Sequence, residues 1–363
     1  MRVIFLGGGT LGHVVPNLAV IEELYKRSRK HHVLYIGENG GKEKEAVKKF
    51  DKSIIVKEII CGKLRRYFSF KNVVDFFKVP VGFLQSFDII ARFNPDVIFS
   101  KGGYVSVPPI LAAGFINFFR GIVGREKIMM IIHESDAVPG LATKIGAGFA
   151  EKILVSFEET RKYFDKNLKP IVTGNPVRSE IFKGKKEAGL KICGFNRFKP
   201  VILAMGGSLG AQQVNNLVWN NLDILLKKCQ VVHITGKGNL NFGINKTGYK
   251  QFELLFNELK DVYSASDLII SRGGANSLAE IASLQKKAVI IPLGTNSSRG
   301  DQLVNAKICG EKYGWQILFD DISNEQFLRA IDIALKNDFG SEENLHKSAT
   351  KTIVDLFYSR LTN

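Results

Sequence analysis

The 363-residue chain reads as an α/β protein built from two doubly wound domains, and three observations carry that reading. Short apolar runs alternate with stretches whose apolar residues recur at helical spacing, the pattern of a parallel sheet covered by helices on both faces. The pattern restarts near residue 200, and a second domain explains the restart better than one twelve-stranded sheet of unusual width. Four glycine-rich loops each follow an apolar run, two in either half. In open parallel sheets the carboxyl ends of the strands are where ligands sit.

In the first half the candidate strands are 3–6, 32–36, 54–59, 96–99, 128–132 and 153–156, with helical stretches such as 17–29 and 81–92 between them. In the second half they are 201–205, 231–235, 252–256, 268–271, 288–292 and 316–319. The turn-rich segment 172–177 reads as the linker. Both domains are expected to be Rossmann-like and to face each other across a cleft lined by the glycine loops.

Composition narrows the function. Two domains fit the length at roughly 100–200 residues each. A hydrophobic fraction of 45% and a charged fraction of 24% suit globular cores that need no metal or disulfide staple. The formal net charge of +16 favours a polyanionic partner, whether nucleic acid, anionic lipid or phosphorylated substrate. Zinc-finger spacing, a basic zipper and an RNA-recognition aromatic signature are all missing, which weighs against nucleic acid. Cys61, Cys193, Cys229 and Cys309 are scattered and read as small buried hydrophobes in a reducing compartment. The start of the chain does not match a signal peptide. The nearest candidate span, 105–119, falls short of the roughly 18 apolar residues a crossing needs and contains Pro108, Pro109 and Gly114. A soluble cytoplasmic enzyme is expected.

The first loop, Gly7-Gly8-Gly9-Thr10-Leu11-Gly12-His13, follows a strand and opens a helix, with Pro16 in or near the first turn. Its glycines allow close backbone approach, and the helix start offers free N–H groups to a phosphate. Gly7, Gly9 and Gly12 also satisfy the dinucleotide fingerprint, with Glu38 placed as a ribose-binding acid. On that loop alone an NAD oxidoreductase would be a serious rival. The other three loops are Lys101-Gly102-Gly103-Tyr104-Val105-Ser106, Gly206-Gly207-Ser208-Leu209-Gly210 and Ser271-Arg272-Gly273-Gly274-Ala275. An NAD enzyme needs one such loop, so four favour a cleft holding several phosphates.

Taken in order, the four loops together with His133-Glu134-Ser135-Asp136, Gly174-Asn175-Pro176-Val177-Arg178 and Asp301-Gln302…Asn305-Ala306 closely resemble the MurG family of peptidoglycan N-acetylglucosaminyltransferases. The resemblance runs from about Gly7 to Ala306. It implies a GT-B glycosyltransferase fold and a last helix that crosses back to the first domain. The domains are accordingly set at 1–164 with 343–363 for the lipid acceptor, and at 165–342 for the UDP-sugar. The implied reaction is inverting transfer of N-acetylglucosamine from UDP-N-acetylglucosamine to the 4-hydroxyl of the muramyl sugar of undecaprenyl-pyrophosphoryl-muramyl-pentapeptide, lipid I, which yields lipid II.

The resemblance also suggests roles. His13 is a general base on the acceptor hydroxyl or a group that steadies phosphate. Asp136 stands where the family more often carries an amide, so it is a second base candidate. Gly9, Thr10, Leu11, Gly12, Gly103, Tyr104 and Ser106 fall to the acceptor and its phosphates. Gly207, Ser208, Arg178, Ala275, Glu280, Gln302 and Asn305 fall to the donor. Among these, Glu280 would hold the ribose diol, and Arg178 would meet the charge on departing UDP. Ser277 to Glu280 also reads as a capping box, the bland alternative for that glutamate. No Asp-x-Asp occurs in the chain, so no metal or other cofactor is expected. The stretch 63–79 mixes basic and aromatic residues. Arg65, Arg66, Phe68, Phe70, Phe76 and Phe77 are expected to form a patch that docks on the anionic cytoplasmic face of the cell membrane.

Overall fold

The computed structural model describes residues 1–62, 70–207, 210–294, 300–319, 321–338 and 345–360. Two compact units emerge: Met1–Arg178 with Leu345–Asn363, and Ser179–Asn344.

The first unit alternates strand and helix: β1 (Arg2–Leu6), α1 (Leu11–Arg27), β2 (His32–Glu38), α2 (Glu43–Phe50), β3 (Ile55–Ile59), α3 (Phe70–Phe93), β4 (Val97–Ser100), α4 (Val107–Ile122), β5 (Met129–Glu134), α5 (Leu141–Ala147), β6 (Lys152–Val155) and β7 (Ile171–Val172). Its sheet is ordered β3-β2-β1-β4-β5-β6-β7, every pairing parallel. The inner strands β1, β4 and β5 lack polar alternation because both faces are covered. Val3 and Phe5 pack with Val14, Ile21 and Leu24 of α1, while Ile4 and Leu6 pack on the opposite face with Ile90 of α3 and Ile110 and Ala113 of α4.

The second unit repeats the plan with α6 (Lys186–Cys193), β8 (Val201–Met205), α7 (Gln212–Asn220), α8 (Leu222–Lys228), β9 (Gln230–Ile234), β10 (Tyr249–Phe252), α9 (Leu259–Ala265), β11 (Leu268–Ser271), α10 (Ala275–Ser283), β12 (Lys287–Ile290), α11 (Asp301–Tyr313), β13 (Gln316–Ile317) and α12 (Asn324–Lys336). Its sheet runs β10-β9-β8-β11-β12-β13, again parallel.

The chain then returns to the first unit as α13 (Leu345–Tyr358). Ile353, Val354 and Phe357 are fully buried in the core that holds Phe5 and Phe99. Each such side chain contributes ~1.5–3 kcal/mol of burial. Polar contacts fix the helix: Arg27 Nη1 lies 2.6 Å from Asp355 Oδ1, His31 Nε2 lies 2.8 Å from Tyr358 Oη, and the Asn175 amide donates to His346 Nδ1 at 2.8 Å.

Several boundaries differ from the sequence expectation. The first unit ends at Arg178 rather than 164, because Ile171–Val172 joins its sheet. Two residues are too few to display a strand period. β10 lies at Tyr249–Phe252 rather than 252–256, since Tyr249 pairs with Val231 and buries its ring beside Trp219 and His233. α1 begins at Leu11, which leaves Pro16 in the second turn, where it cannot donate to the Gly12 carbonyl. The segment Tyr104–Ile122 is long and apolar enough to cross a bilayer, contrary to the expectation for 105–119. Yet Pro108, Pro109, Ile110, Ala112 and Ala113 are buried, so it is a core helix with one exposed face.

Candidate active site

The strand order reverses direction at β1/β4 in the first sheet and at β8/β11 in the second. Loops that leave such neighbours diverge to opposite faces and open a crevice. The four glycine loops follow these four strands, so topology alone brings them together in pairs, one pair in each unit.

In the first unit the β1 and β4 loops interlock. Gly103 has φ +81°, and a Cβ there would stand 2.6 Å from the Gly8 carbonyl and 3.2 Å from the His13 ring. Only glycine lets the two loops close. His13 Nδ1 lies 3.1 Å from the Lys101 carbonyl. A carbonyl only accepts, so Nδ1 carries the proton and Nε2 keeps the lone pair, the tautomer a general base needs. Ser106 Oγ donates to the Gly103 carbonyl at 2.6 Å, which makes Ser106 a brace for the loop. Thr10 caps α1 through its backbone alone, with no side-chain hydrogen bond to the helix start.

Glu43, at the start of α2, is 3% exposed and reaches beneath this loop. Its Oε1 accepts the Gly9 amide at 2.6 Å. The Tyr104 hydroxyl donates to Glu38 Oε2 at 2.5 Å, and the Tyr104 ring lies against Gly9. Gly9 therefore has a carboxylate on the amide that sequence reasoning reserved for phosphate, and Glu38 has a phenol where a ribose would bind. The dinucleotide fingerprint is present, but its two main contacts are already made within the protein.

Behind the β4 loop, Lys101 is buried, with Nζ 2.6 Å from His133 Nδ1 and donating to Asn175 Oδ1 at 2.9 Å. His133 Nε2–H donates to the Gly174 carbonyl at 2.8 Å, so Nδ1 is the acceptor for the lysine. Burial pulls the Lys101 ammonium below the ordinary lysine range, with Glu134 and Asp136 pushing back. Burial, then the Lys101 charge, holds His133 well below the histidine range and hence neutral. Glu134 accepts from the Asp136 amide, the Gly140 amide and Thr143 Oγ1. These groups form a structural network. Asp136 is half-buried at its edge, on the carboxyl side of β5.

The second unit's loops differ. Gly206 must be glycine because a Cβ would meet the Ala211 amide at 2.3 Å. Gly207, at φ +88°, and Gly274 have no atom within 4 Å of where a Cβ would stand. Gly274 caps α10, whose start carries no side-chain cap, and Ala275 is the first residue of the helix. That start places Ser277 inside the helix, so Ser277 and Glu280 do not form the capping box. Glu280 is 8% exposed and accepts from the Tyr263 hydroxyl at 3.1 Å. Ser208 and Leu209 lie outside the described residues.

Sequence reasoning passed over Arg272. Its Nε and Nη2 are shielded from solvent and have no hydrogen-bond partner among the described residues. Burial pulls its guanidinium below the usual arginine range. A buried cationic donor without an acceptor is costly unless a ligand completes it. The available signal was an arginine between a buried strand and a glycine pair at a helix start, a place where cationic fork donors meet anions. Asn305 is fully buried, and its Nδ2 lies 3.3 Å from the Gly273 carbonyl, so it holds the loop that opens α10. Gln302 is half-buried, and its Oε1 accepts the Leu293 amide at 3.2 Å. Arg178 is half-buried at the chain junction between the units.

Of the expected membrane patch, Arg65, Arg66 and Phe68 lie outside the described residues. Phe70, Phe76 and Phe77 fall on the first turns of α3, and their side chains lie outside the described set as well. An apolar surface is nevertheless exposed further along α3 and on α4. Leu84, Phe87, Phe115, Phe118, Phe119 and Ile122 are all at least 36% exposed. Phe115 contacts Phe87 and Phe119 edge-on, with ring centroids at 6.1 and 4.7 Å. Arg92 and Arg120 lie on the same two helices.

Comparison with known proteins agrees with this architecture. A model of the glycosyltransferase family 28 N-terminal domain matches residues 3–155, and one of the family 28 C-terminal domain matches residues 201–357. A protein of Clostridium tetani is 42% identical over 357 residues, covering 98% of this chain and 95% of its own. A protein of Bacillus cereus is 43% identical over 353 residues, covering 96% and 94%. The first is described as UDP-N-acetylglucosamine–N-acetylmuramyl-(pentapeptide) pyrophosphoryl-undecaprenol N-acetylglucosamine transferase, and the second as transferase 2 of the same name. Among solved structures, Acinetobacter baumannii MurG aligns with TM-score 0.71 at 23% identity over 99% of both chains. A UDP-GlcNAc 2-epimerase from Neisseria meningitidis aligns at 0.63 with 16% identity over the full length of both. At those identities the structures report the fold.

Proposed function

The chain belongs to glycosyltransferase family 28, and from that premise we propose that it transfers N-acetylglucosamine from UDP-N-acetylglucosamine to the muramyl 4-hydroxyl of lipid I, giving lipid II. The observation that carries the donor side is the Arg272 guanidinium, whose Nε and Nη2 find no partner among the described residues, beside Gly274 and the uncapped start of α10. Those groups suit a diphosphate, and the Glu280 carboxylate suits a vicinal diol. UDP leaves with the electron pair of the broken sugar–phosphate bond, so its diphosphate gains one negative charge beyond the two it carried in the sugar ester. The developing charge is met by Arg272, by Arg178 and by the loop amides, with Ser208 beside Gly207 and Gln302 toward the sugar.

The acceptor belongs to the first unit. Its phosphates take the amides at the start of α1, at Leu11 and Gly12, while Gly103, Tyr104 and Ser106 shape the opposite wall. His13 Nε2 accepts the proton of the 4-hydroxyl as that oxygen attacks the anomeric carbon and the sugar–phosphate bond breaks with inversion. Asp136 is the alternative base. No metal is assigned a role: the cationic and dipolar groups named above supply the leaving-group stabilisation. The apolar face of α3 and α4 is the surface we assign to the cytoplasmic side of the membrane, where aromatic rings enter the interface and Arg92 and Arg120 on the same helices add positive charge toward anionic headgroups.

The direct test incubates pure protein with labelled UDP-N-acetylglucosamine and a chelator, offering lipid-linked muramyl-pentapeptide in one arm and diacylglycerol in the other. Transfer to the muramyl lipid alone is expected. Label on diacylglycerol only would overturn the acceptor assignment, and a requirement for added divalent metal would overturn the metal-free mechanism. For the surface, Phe118→Glu with Ile122→Glu should abolish flotation with anionic vesicles while sparing activity on a short-chain acceptor.

A further inference from the structure

The first unit carries a nucleotide-binding loop that its own side chains fill. Gly7, Gly9 and Gly12 satisfy the fingerprint, the loop joins a strand to a helix at a topological switch point, and Glu38 ends the next strand. In a fold that binds a nucleotide there, the pyrophosphate takes the loop amides and the acid takes the ribose. Here Glu43 Oε1 takes the Gly9 amide at 2.6 Å and the Tyr104 hydroxyl takes Glu38 at 2.5 Å.

The chain is shaped around the Glu43 carboxylate. A Cβ on Gly8 would stand 2.6 Å from its Oε1, and one on Gly41 would stand 1.8 Å from its Oε2. A Cβ on Gly37 would press on the Glu43 stem at 3.1 Å. Two glycines outside the fingerprint, Gly37 and Gly41, thus make room for an acid, and that acid sits where a phosphate would. Oε2 is buried without a hydrogen-bond partner among the described residues, so the carboxylate's position costs solvation that the Gly9 bond offsets only in part.

We propose that Glu43 and Tyr104 are specificity-determining residues that occupy the nucleotide apparatus of the first unit and so confine nucleotide diphosphates to the second. A carboxylate ~4 Å from a phosphate at near-surface dielectric weakens its binding by roughly a hundred- to a thousandfold. The Tyr104 phenol removes the ribose partner as well. A lipid-borne diphosphate held at the Leu11 and Gly12 amides has no ribose and needs neither Glu38 nor the Gly9 amide, so Tyr104 costs it nothing, while the Glu43 charge acts on either diphosphate. In an enzyme with a glycine loop in each unit, this filter keeps its own nucleotide substrate and product off the acceptor side.

The inference rests on the proposed function for UDP as the probe and for the acceptor whose site the filter protects. Equilibrium dialysis of labelled UDP against the full chain should give one site for the native protein and two for Glu43→Ala/Tyr104→Ala. Where that variant does not fold, Glu43→Gln/Tyr104→Phe keeps the packing, neutralises the acid and frees Glu38. It should gain a second site at least about tenfold weaker than the native one. UDP should then also become competitive with the acceptor in the variant and not in the native enzyme. Folded variants that take up no additional UDP at millimolar concentration would overturn the proposal, as would two sites in the native protein. No site in the native protein would count against the donor reading alone, since a gain of one in the variants would still uphold the filter.

Discussion

The two units share a topology and a pair of glycine loops at the same strand reversal, yet the loops are in opposite states. In the first, the Gly9 amide holds Glu43, Glu38 holds Tyr104, and Gly103 is wedged between Gly8 and His13. In the second, no described atom lies within 4 Å of where a Cβ on Gly207 or Gly274 would stand, and Arg272 Nε and Nη2 have no acceptor among the described residues. A glycine loop after a strand marks a place where backbone comes close to something. Whether that something is a ligand or the protein itself is decided by side chains on neighbouring elements, here the first residue of α2 and the loop after β4.

The largest effect should come from the unsatisfied side. Arg272→Ala is expected to lower kcat/KM by about a hundred- to a thousandfold, ~3–4 kcal/mol of transition-state stabilisation. Its melting temperature should not fall, because the lost guanidinium bonds no described residue through Nε and Nη2. A variant that unfolds more readily and retains its activity would reverse the assignment and make the arginine structural. On the satisfied side, His13→Ala should lower kcat about a hundredfold with the KM for the UDP-sugar unchanged. Asp136→Asn measured alongside it apportions the base. A larger loss in that variant would move the proton acceptor from the β1 loop to the end of β5.

Asn305→Ala sharpens the contrast in another way. The Gly273 carbonyl would lose its buried donor, costing ~1–3 kcal/mol of stability in urea denaturation. The KM for the donor should rise only as far as the loop loosens. The last effect concerns pH. Burial lowers the folded-state pKa of Lys101, so above that value the unfolded chain binds more protons than the folded one, up to the free lysine pKa of ~10.4. Stability therefore rises with pH across that window. Urea midpoints taken across it should climb in the native protein and flatten in Lys101→Met.

Much of this was legible in the chain. Buried strands such as Val97–Ser100 and Leu268–Ser271 announce themselves as unbroken apolar runs, and the loops that follow carry their glycines openly. The resemblance to a glycosyltransferase family then agreed with the relatives. What stayed hidden depends on pairing across distance. Glu43 looks like any acid opening an amphipathic helix, and its position under Gly9 needs the β1–β2 register to be known. Asn305 reads as a ligand amide, and its bond to the Gly273 carbonyl shows only in the fold. Arg272 was visible as a letter, but its missing acceptor is a property of three dimensions. Ile171–Val172 was too short to read, and it moved the unit boundary.

The return of α13 to the first unit has a consequence for the order in which the protein is made. The second unit lies wholly within 179–344, so its core is complete once that segment has left the ribosome. The first unit, although synthesised earlier, lacks Ile353, Val354 and Phe357 until α13 has followed as well. At ~5–20 residues per second, its apolar floor waits on the order of ten seconds or more for its last helix. The part of the chain born first is finished last, and during that interval it is the part that most needs shelter from aggregation.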